Sequence, residues 1–491
     1  MGAAMEVRVS IHDQYQMELK FNYPLPDDRR RTLYEVDLYF FAPRSLGVHP
    51  QTYSKQQFYT DLQSYIRIRT PSVPLNRFEG SAVGPLAKLR GALEQKAQQA
   101  SKYPLPEFEE QIKLFCCILK SAVRDFVAFI HKTLDAQDRD QLISEYLAMV
   151  QEITAGYREL QRIIQIPNVD QRAFEIYLFG DEYISLLVED YTFHLLDALS
   201  ASDSEPSPEN QKKLLALIEA EVRYRQRRRY ASVPEEQKDN ETLVFRRSAL
   251  KKYAASILFL DTEVKTEWLL LQQVFFGLAA AAAMAFATAA AFISQTIYGS
   301  LTLPVFVTFV VSYIFKDRIK DLLRYHLSRK MTRFLFDHKT RVRDVAGKIV
   351  GVCRESFGFV KNSKLPAEVQ ELRNRDHITE IENGWIGEDI MLYRKRIRLQ
   401  PERVRRIFSE YEVAGVNDIM RFNVEEFLRR MDDPKKELFV MDDEGYHRIR
   451  GARVYHLNLI IRMMHARRSL EMRYRVVLNR EGIKRIEYVQ P

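Results

Sequence analysis

From Leu269 to Phe315 the chain carries no Asp, Glu, Lys or Arg. A bilayer core takes roughly 20 apolar residues per helix, so this stretch holds about two crossings and little else. The first reads LLLQQVFFGLAAAAAMAFATAAAFI, Leu269 to Ile293, and the second runs from Ile297 to Phe315. Ser294, Gln295 and Thr296 are the expected turn, and a turn so short forces two antiparallel neighbours. A buried hairpin in a large soluble core is the alternative, but such cores rarely need so long an uncharged run.

The flanks set the orientation. Arg246, Arg247, Lys251, Lys252 and Lys265 precede the stretch; Lys316, Arg318, Lys320, Arg324, Arg329 and Lys330 follow it. Lys and Arg near the ends of a span stay cytoplasmic. The expectation is a multi-pass protein of the cell (inner or plasma) membrane with both termini in the cytoplasm. Gly277, Ala281, Ala285 and Ala289 recur every fourth residue on one helical face. Small faces let membrane helices approach closely, here either the second span or a second copy in a homo-oligomer. No ionisable group marks an ion path. A channel would need several copies, since one hairpin encloses no pore.

Charge is uneven outside the hairpin. There are 35 Lys and Arg against 39 Asp and Glu up to residue 315, and 39 against 27 beyond it. The positive excess follows the membrane segment directly, where anionic lipid headgroups would attract it. The three cysteines, Cys116, Cys117 and Cys353, form neither a CxxC pair nor a zinc spacing, and read as small core residues. The first residues, MGAAMEVRVSIHDQ, lack the long apolar segment of a signal peptide.

Four parts follow from the patterning. Residues 1–85 are a strand-rich N-terminal segment: Met17, Leu19 and Phe21 alternate, as do Val36, Leu38 and Phe40. Residues 86–268 are a bundle-like α-helical cytoplasmic domain, with Ile112, Phe115, Ile118, Leu119, Val123 and Phe126 at helical spacing. Gly180-Asp181-Glu182 interrupts one apolar helix and marks a kink or boundary. Leu243, Leu250, Ile257, Val264 and Leu271 recur every seven residues, a short coiled-coil seam running into the first span. Residues 269–315 are the transmembrane helical hairpin. Residues 316–491 are a basic cytoplasmic α+β domain with an antiparallel sheet. It carries a turn signal at Asn383-Gly384 and hairpin turns at Asp442–Gly445 and Asn479–Gly482. The fold class is thus a mixed integral membrane protein.

The search for chemistry returns little. The glycines of GKIVGVCRESFG lack the phosphate-loop ending and the dinucleotide spacing. No nucleophile elbow or kinase set occurs. His447, His456 and His465 are evenly spaced but need not share a face. Asp432, Asp433, Asp442, Asp443 and Glu444 read as two polar turns, not an EF-hand. No metal or cofactor is therefore expected. In LYRKRIRL, strand alternation puts Arg394, Arg396 and Arg398 on one face, with Arg403, Arg405 and Arg406 close behind. Such a face is either simply solvated or suits lipid headgroups or an acidic protein partner. No RNA-binding signature accompanies it, which argues against nucleic acid. Further basic runs are Arg225 to Arg229 and Arg467 to Arg475. No residue set matches the motifs of a family. The sequence reads as a membrane-anchored cytoplasmic scaffold or signalling-type binding protein. The rivals are a membrane-associated enzyme with an unrecognised site and a subunit of an oligomeric channel.

Overall fold

The computed structural model describes residues 5–490 apart from 27–30, 79–83, 99–104, 134, 165–170, 202–206, 266–268, 300–301, 332–335, 375–386, 409 and 444. Two compact units emerge: Met1–Arg67 with Leu260–Ile407 and Gly415–Pro491, and Ile68–Phe259 with Phe408–Ala414. In chain order β1 (Glu6–Ile11), β2 (Gln16–Pro24), β3 (Thr32–Pro43), α1 (Lys55–Asp61) and β4 (Leu62–Ile68) open the first unit. The second follows with α2 (Pro85–Gln98), α3 (Leu105–Lys132), α4 (Ala136–Glu159), α5 (Gln161–Ile164), α6 (Gln171–Ala201), α7 (Pro208–Arg228) and α8 (Glu241–Ala255). The first resumes with β5 (Asp261–Lys265), α9 (Leu269–Tyr298), α10 (Leu303–Met331), β6 (His338–Arg343), β7 (Ile349–Val360), α11 (Ala367–Asn374), β8 (Glu388–Leu399) and α12 (Pro401–Arg405). It ends with β9 (Gly415–Asn423), α13 (Glu425–Leu428), β10 (Lys435–Asp442), β11 (Gly445–Ala452), β12 (Tyr455–His465), β13 (Arg468–Asn479) and β14 (Gly482–Val489).

The first unit is a β-sandwich. One sheet has eight strands in the order β14-β13-β12-β3-β8-β7-β6-β5, the other four in the order β1-β2-β9-β4. The expected alternation is what builds it. Met17, Leu19 and Phe21 of β2, and Val36, Leu38 and Phe40 of β3, are all buried. Aromatic rings meet between the sheets: Phe40 lies 5.1 Å from Phe422 and Tyr23 lies 5.0 Å from Tyr34, centroid to centroid. One end of the large sheet's other face is covered by Leu365, Val369 and Leu372, which pack on Tyr39, Phe41, Ile390 and Ile460.

Residues 1–85 are therefore not a segment apart. β3 lies between β8 and β12, and β2 pairs with β9, so N- and C-terminal strands share one core. Single-strand periodicity cannot reveal this, because every strand pairing involved closes a loop of hundreds of residues.

Two packed helices occupy this stretch, with bounds other than those expected. α9 continues through Ser294, Gln295 and Thr296 to Tyr298, and Gly299, with φ +75°, ends it. The two helices are antiparallel: Ser294 Oγ donates to Thr308 Oγ1 at 3.2 Å, and the Arg324 guanidinium lies 5.1 Å from the Phe276 ring. Among the described residues one helix, Gln273–Tyr298, is long and apolar enough to cross a membrane. α10 meets Lys316 too early in its length to qualify by itself.

The coiled-coil seam does not extend into the first span. α8 ends at Ala255, and Val264 stands on β5, which pairs with β6. Leu243, Leu250 and Ile257 are buried within the helical unit instead. α6 runs unbroken through Gly180, where a Cβ would meet Tyr157 Oη at 2.2 Å and Ile112 Cγ2 at 2.9 Å. The glycine serves a close helix approach, not a kink. Asn383-Gly384 lies outside the described residues.

Candidate functional site

Strand alternation gives β8 two characters. Arg394, Arg396 and Arg398 point outward, while Tyr393, Lys395, Ile397 and Leu399 point into the sandwich. Lys395 is thus a lysine in a core register, and its side chain is 1% exposed. Its Nζ donates to Asp418 Oδ1 on β9 at 3.0 Å and to Ser64 Oγ on β4 at 2.8 Å. It also pairs with Glu355 Oε1 of β7 at 3.1 Å. Asp418 is held further by Tyr23 Oη and Ser64 Oγ, both at 3.1 Å.

Beside this cluster lies a cavity of about 240 Å³ between the sheets. Glu355, Lys395, Cys353, Thr340 and His338 line one side; Tyr59, Ser64 and Ile66 line the other. Asp337 fixes Tyr59 in place. Its carboxylate accepts from Lys55 Nζ at 2.5 Å, Tyr59 Oη at 3.0 Å and the Phe357 amide at 2.8 Å. In the chain, β5 precedes α9 and β6 follows α10 at this end of the sheet.

The electrostatics keep Lys395 charged and the Cys353 thiol and Tyr23 phenol protonated. Burial alone would drag the Lys395 pKa down, but the carboxylates of Asp418 and Glu355 outweigh it and hold the ammonium charged. A charged lysine is no nucleophile. Burial likewise pushes the Cys353 thiol well above its usual range, against the opposing pull of Lys395. Such a thiol stays protonated and unreactive. Burial, then Asp418, raises Tyr23 well above the ordinary phenol value, so it remains a donor.

The residues singled out from sequence fall elsewhere. Arg394, Arg396 and Arg398 do share one exposed face of β8. Arg396 Nε pairs with Glu35 at 3.3 Å, so part of that face is internally matched. Arg403 donates to the Ile349 carbonyl and Arg405 to the Leu25 carbonyl, both at 2.9 Å. These two tie the short helix α12 to its surroundings, and Arg406 follows, exposed. Gly277, Ala281, Ala285 and Ala289 lie on the exposed side of α9, whereas Ala279, Ala283 and Ser294 are buried. The basic runs are partly interior: Arg225 is buried against Glu189 and Ser185, and buried Arg473 donates to the Leu372 carbonyl at 3.0 Å. Among the described acidic residues, Asp432 pairs with Arg453 at 2.6 Å and Asp433 with Arg480 at 3.2 Å. Among the described residues no group of three His, Cys, Asp or Glu is placed to hold a metal ion.

Lys395 and Asp418 escape a motif search because they sit about two dozen positions apart on different sheets. The available signal was the alternation itself, which assigns Lys395 to the inward set with Tyr393 and Ile397. No family model matches this chain, and neither a curated protein nor a solved structure matches it.

Proposed function

We propose that this chain is a membrane-anchored binding protein of scaffold or signalling type. The hairpin of α9 and α10 tethers it, and the sandwich and helical unit work on the cytoplasmic side. One observation carries the reading. β5 and β6 are hydrogen-bonded antiparallel neighbours, with Lys265 opposite Lys339 at the end nearest the hairpin. A helix pair rooted in two such strands leaves and returns on the same side of a bilayer. The helices also present apolar surface: Leu278, Phe292, Ile293, Phe306 and Ile314 are all exposed. Contiguous apolar surface of this kind calls for a lipid or protein cover. Lys316 and Lys320 at the return end of α10 fit the cytoplasmic interface, and a long lysine stem lets a short span reach it. Alkaline carbonate extraction of cell membranes tests the anchor. The protein should stay in the pellet, and release into the supernatant would refute membrane insertion.

A further inference from the structure

We propose that the cavity beside Lys395 binds a small organic cation, a primary ammonium carried on a compact apolar body. The proposal rests on the binding-protein reading and supplies its ligand class. The Lys395 ammonium has three N–H groups; it donates to Asp418 and Ser64 and lies 3.1 Å from Glu355 Oε1. Lys395, which lines the cavity, is thus already turned to these three groups rather than to an anion. The balance of charge around it is negative, two carboxylates against one ammonium. The neighbouring Asp337 does not change this, because Lys55 matches it.

The excess is presented by Glu355. Its Oε1 takes Lys395 and faces the Cys353 thiol at 3.6 Å, while Oε2 has no hydrogen-bond partner among the described residues. Its side chain is 14% exposed, open to the cavity it lines. Opposite it across the β6–β7 ladder stands His338. Directly opposed residues hold their Cβ atoms about 5 Å apart, close enough for both side chains to reach one bound group. The buried Nδ1 of His338 has no hydrogen-bond partner among the described residues, and the Tyr59 ring packs edge-on against the imidazole at 4.3 Å. An ammonium would thus meet the Glu355 carboxylate beside the His338 and Tyr59 rings, which line the same cavity. Leu62, Ile66 and Val264 supply the apolar wall. A ligand there touches β5 through Thr262 and Val264 and β6 through His338 and Thr340. Those are the strands that carry the two membrane helices.

The test uses the purified full chain in detergent micelles and isothermal titration calorimetry. Three probes of matched shape are compared: cyclohexylamine, cyclohexanol and cyclohexanecarboxylate, with empty micelles subtracted. The amine should bind and the other two should not. Glu355→Gln should weaken the amine about tenfold, the loss of one charge-assisted hydrogen bond, while Lys395 keeps Asp418 and the fold. Val264→Phe narrows the cavity from an exposed edge position and should weaken the amine independently of any charge. Equal binding of the carboxylate or the alcohol would overturn the proposal. So would no binding of any probe at millimolar concentration, or an unchanged amine affinity in both variants. None of these readouts needs a membrane, so failure here leaves the carbonate extraction result standing, and the converse holds.

Discussion

At the scale of single residues, the sandwich interior is decided by charges placed where apolar side chains belong. Lys395 and Asp418 are both essentially inaccessible to solvent. Breaking a buried pair from one side typically costs about 3–5 kcal/mol, because the remaining charge is left uncompensated. Lys395→Met should therefore destabilise the first unit by that amount in chemical denaturation. Lys395→Met with Asp418→Asn should recover part of the loss, since the stranded carboxylate is gone. A single variant costing under about 1 kcal/mol would mean the pair is not buried as described. Asp37 on the outer face of β3 gives a second handle. Burial raises its pKa from 3.8 to about 6, against the opposing pull of Arg394. Between those two values the folded chain holds the proton more tightly than the unfolded chain. Stability should thus fall as pH rises from about 4 to about 6. Asp37→Asn removes that fall. It should stabilise the protein by about 1–3 kcal/mol near pH 8, the lower end reflecting partial solvent access, and by nothing near pH 4. Thermal melts of both proteins at the two pH values decide it. Neither residue stands out in the sequence: Lys395 is hidden in a run of arginines, and Asp37 looks like any outward strand acid.

At the scale of elements, the strands were legible and their partners were not. Alternation marks the inward faces of β2 and of β3 up to Leu38, beyond which Tyr39 and Phe41 are buried on the opposite face as well. It carries no information on which distant strand lies alongside. The seven-residue recurrence from Leu243 to Leu271 failed at Val264 for a related reason. Val264 lies in DTEVK, a segment whose edge pairing with β6 outweighs its helical spacing. Gly180 shows how the sign of one substitution separates two accounts. If it merely kinked α6, Gly180→Ala would stabilise the helix by about 1 kcal/mol. The approach of Tyr157, whose Oη is held at 3.0 Å from the Tyr177 carbonyl, instead predicts overpacking. That typically costs about 1–3 kcal/mol and should show as a lower unfolding midpoint. The ribbon of β10 and β11 is the opposite case. Among the described residues its strands pair only with each other, and Phe439, Met441 and Tyr446 are exposed. An isolated two-stranded hairpin contributes little stability of its own. Replacing Lys436–Gly451 by a short Gly-Ser link should change unfolding free energy by less than about 1 kcal/mol. A larger loss would show that the ribbon supports the sandwich.

At the scale of the whole molecule, the sheet edge fixes where the ends of the α9–α10 hairpin stand. The uncharged stretch announced the hairpin, yet its place between two paired strands became visible only once β5 and β6 were matched. That pairing makes both roots of the hairpin neighbours, so the proposed anchoring puts the parts before and after it on one side of the membrane. Thiol labelling of intact cells with a membrane-impermeant maleimide tests this most directly, because the three native cysteines are buried. Leu303→Cys, exposed at the start of α10, should label from outside without permeabilisation. Glu236→Cys before the hairpin and Lys348→Cys after it should label only once the membrane is opened. Labelling of Leu303→Cys only after permeabilisation, or of Glu236→Cys and Lys348→Cys on opposite sides, would contradict the account.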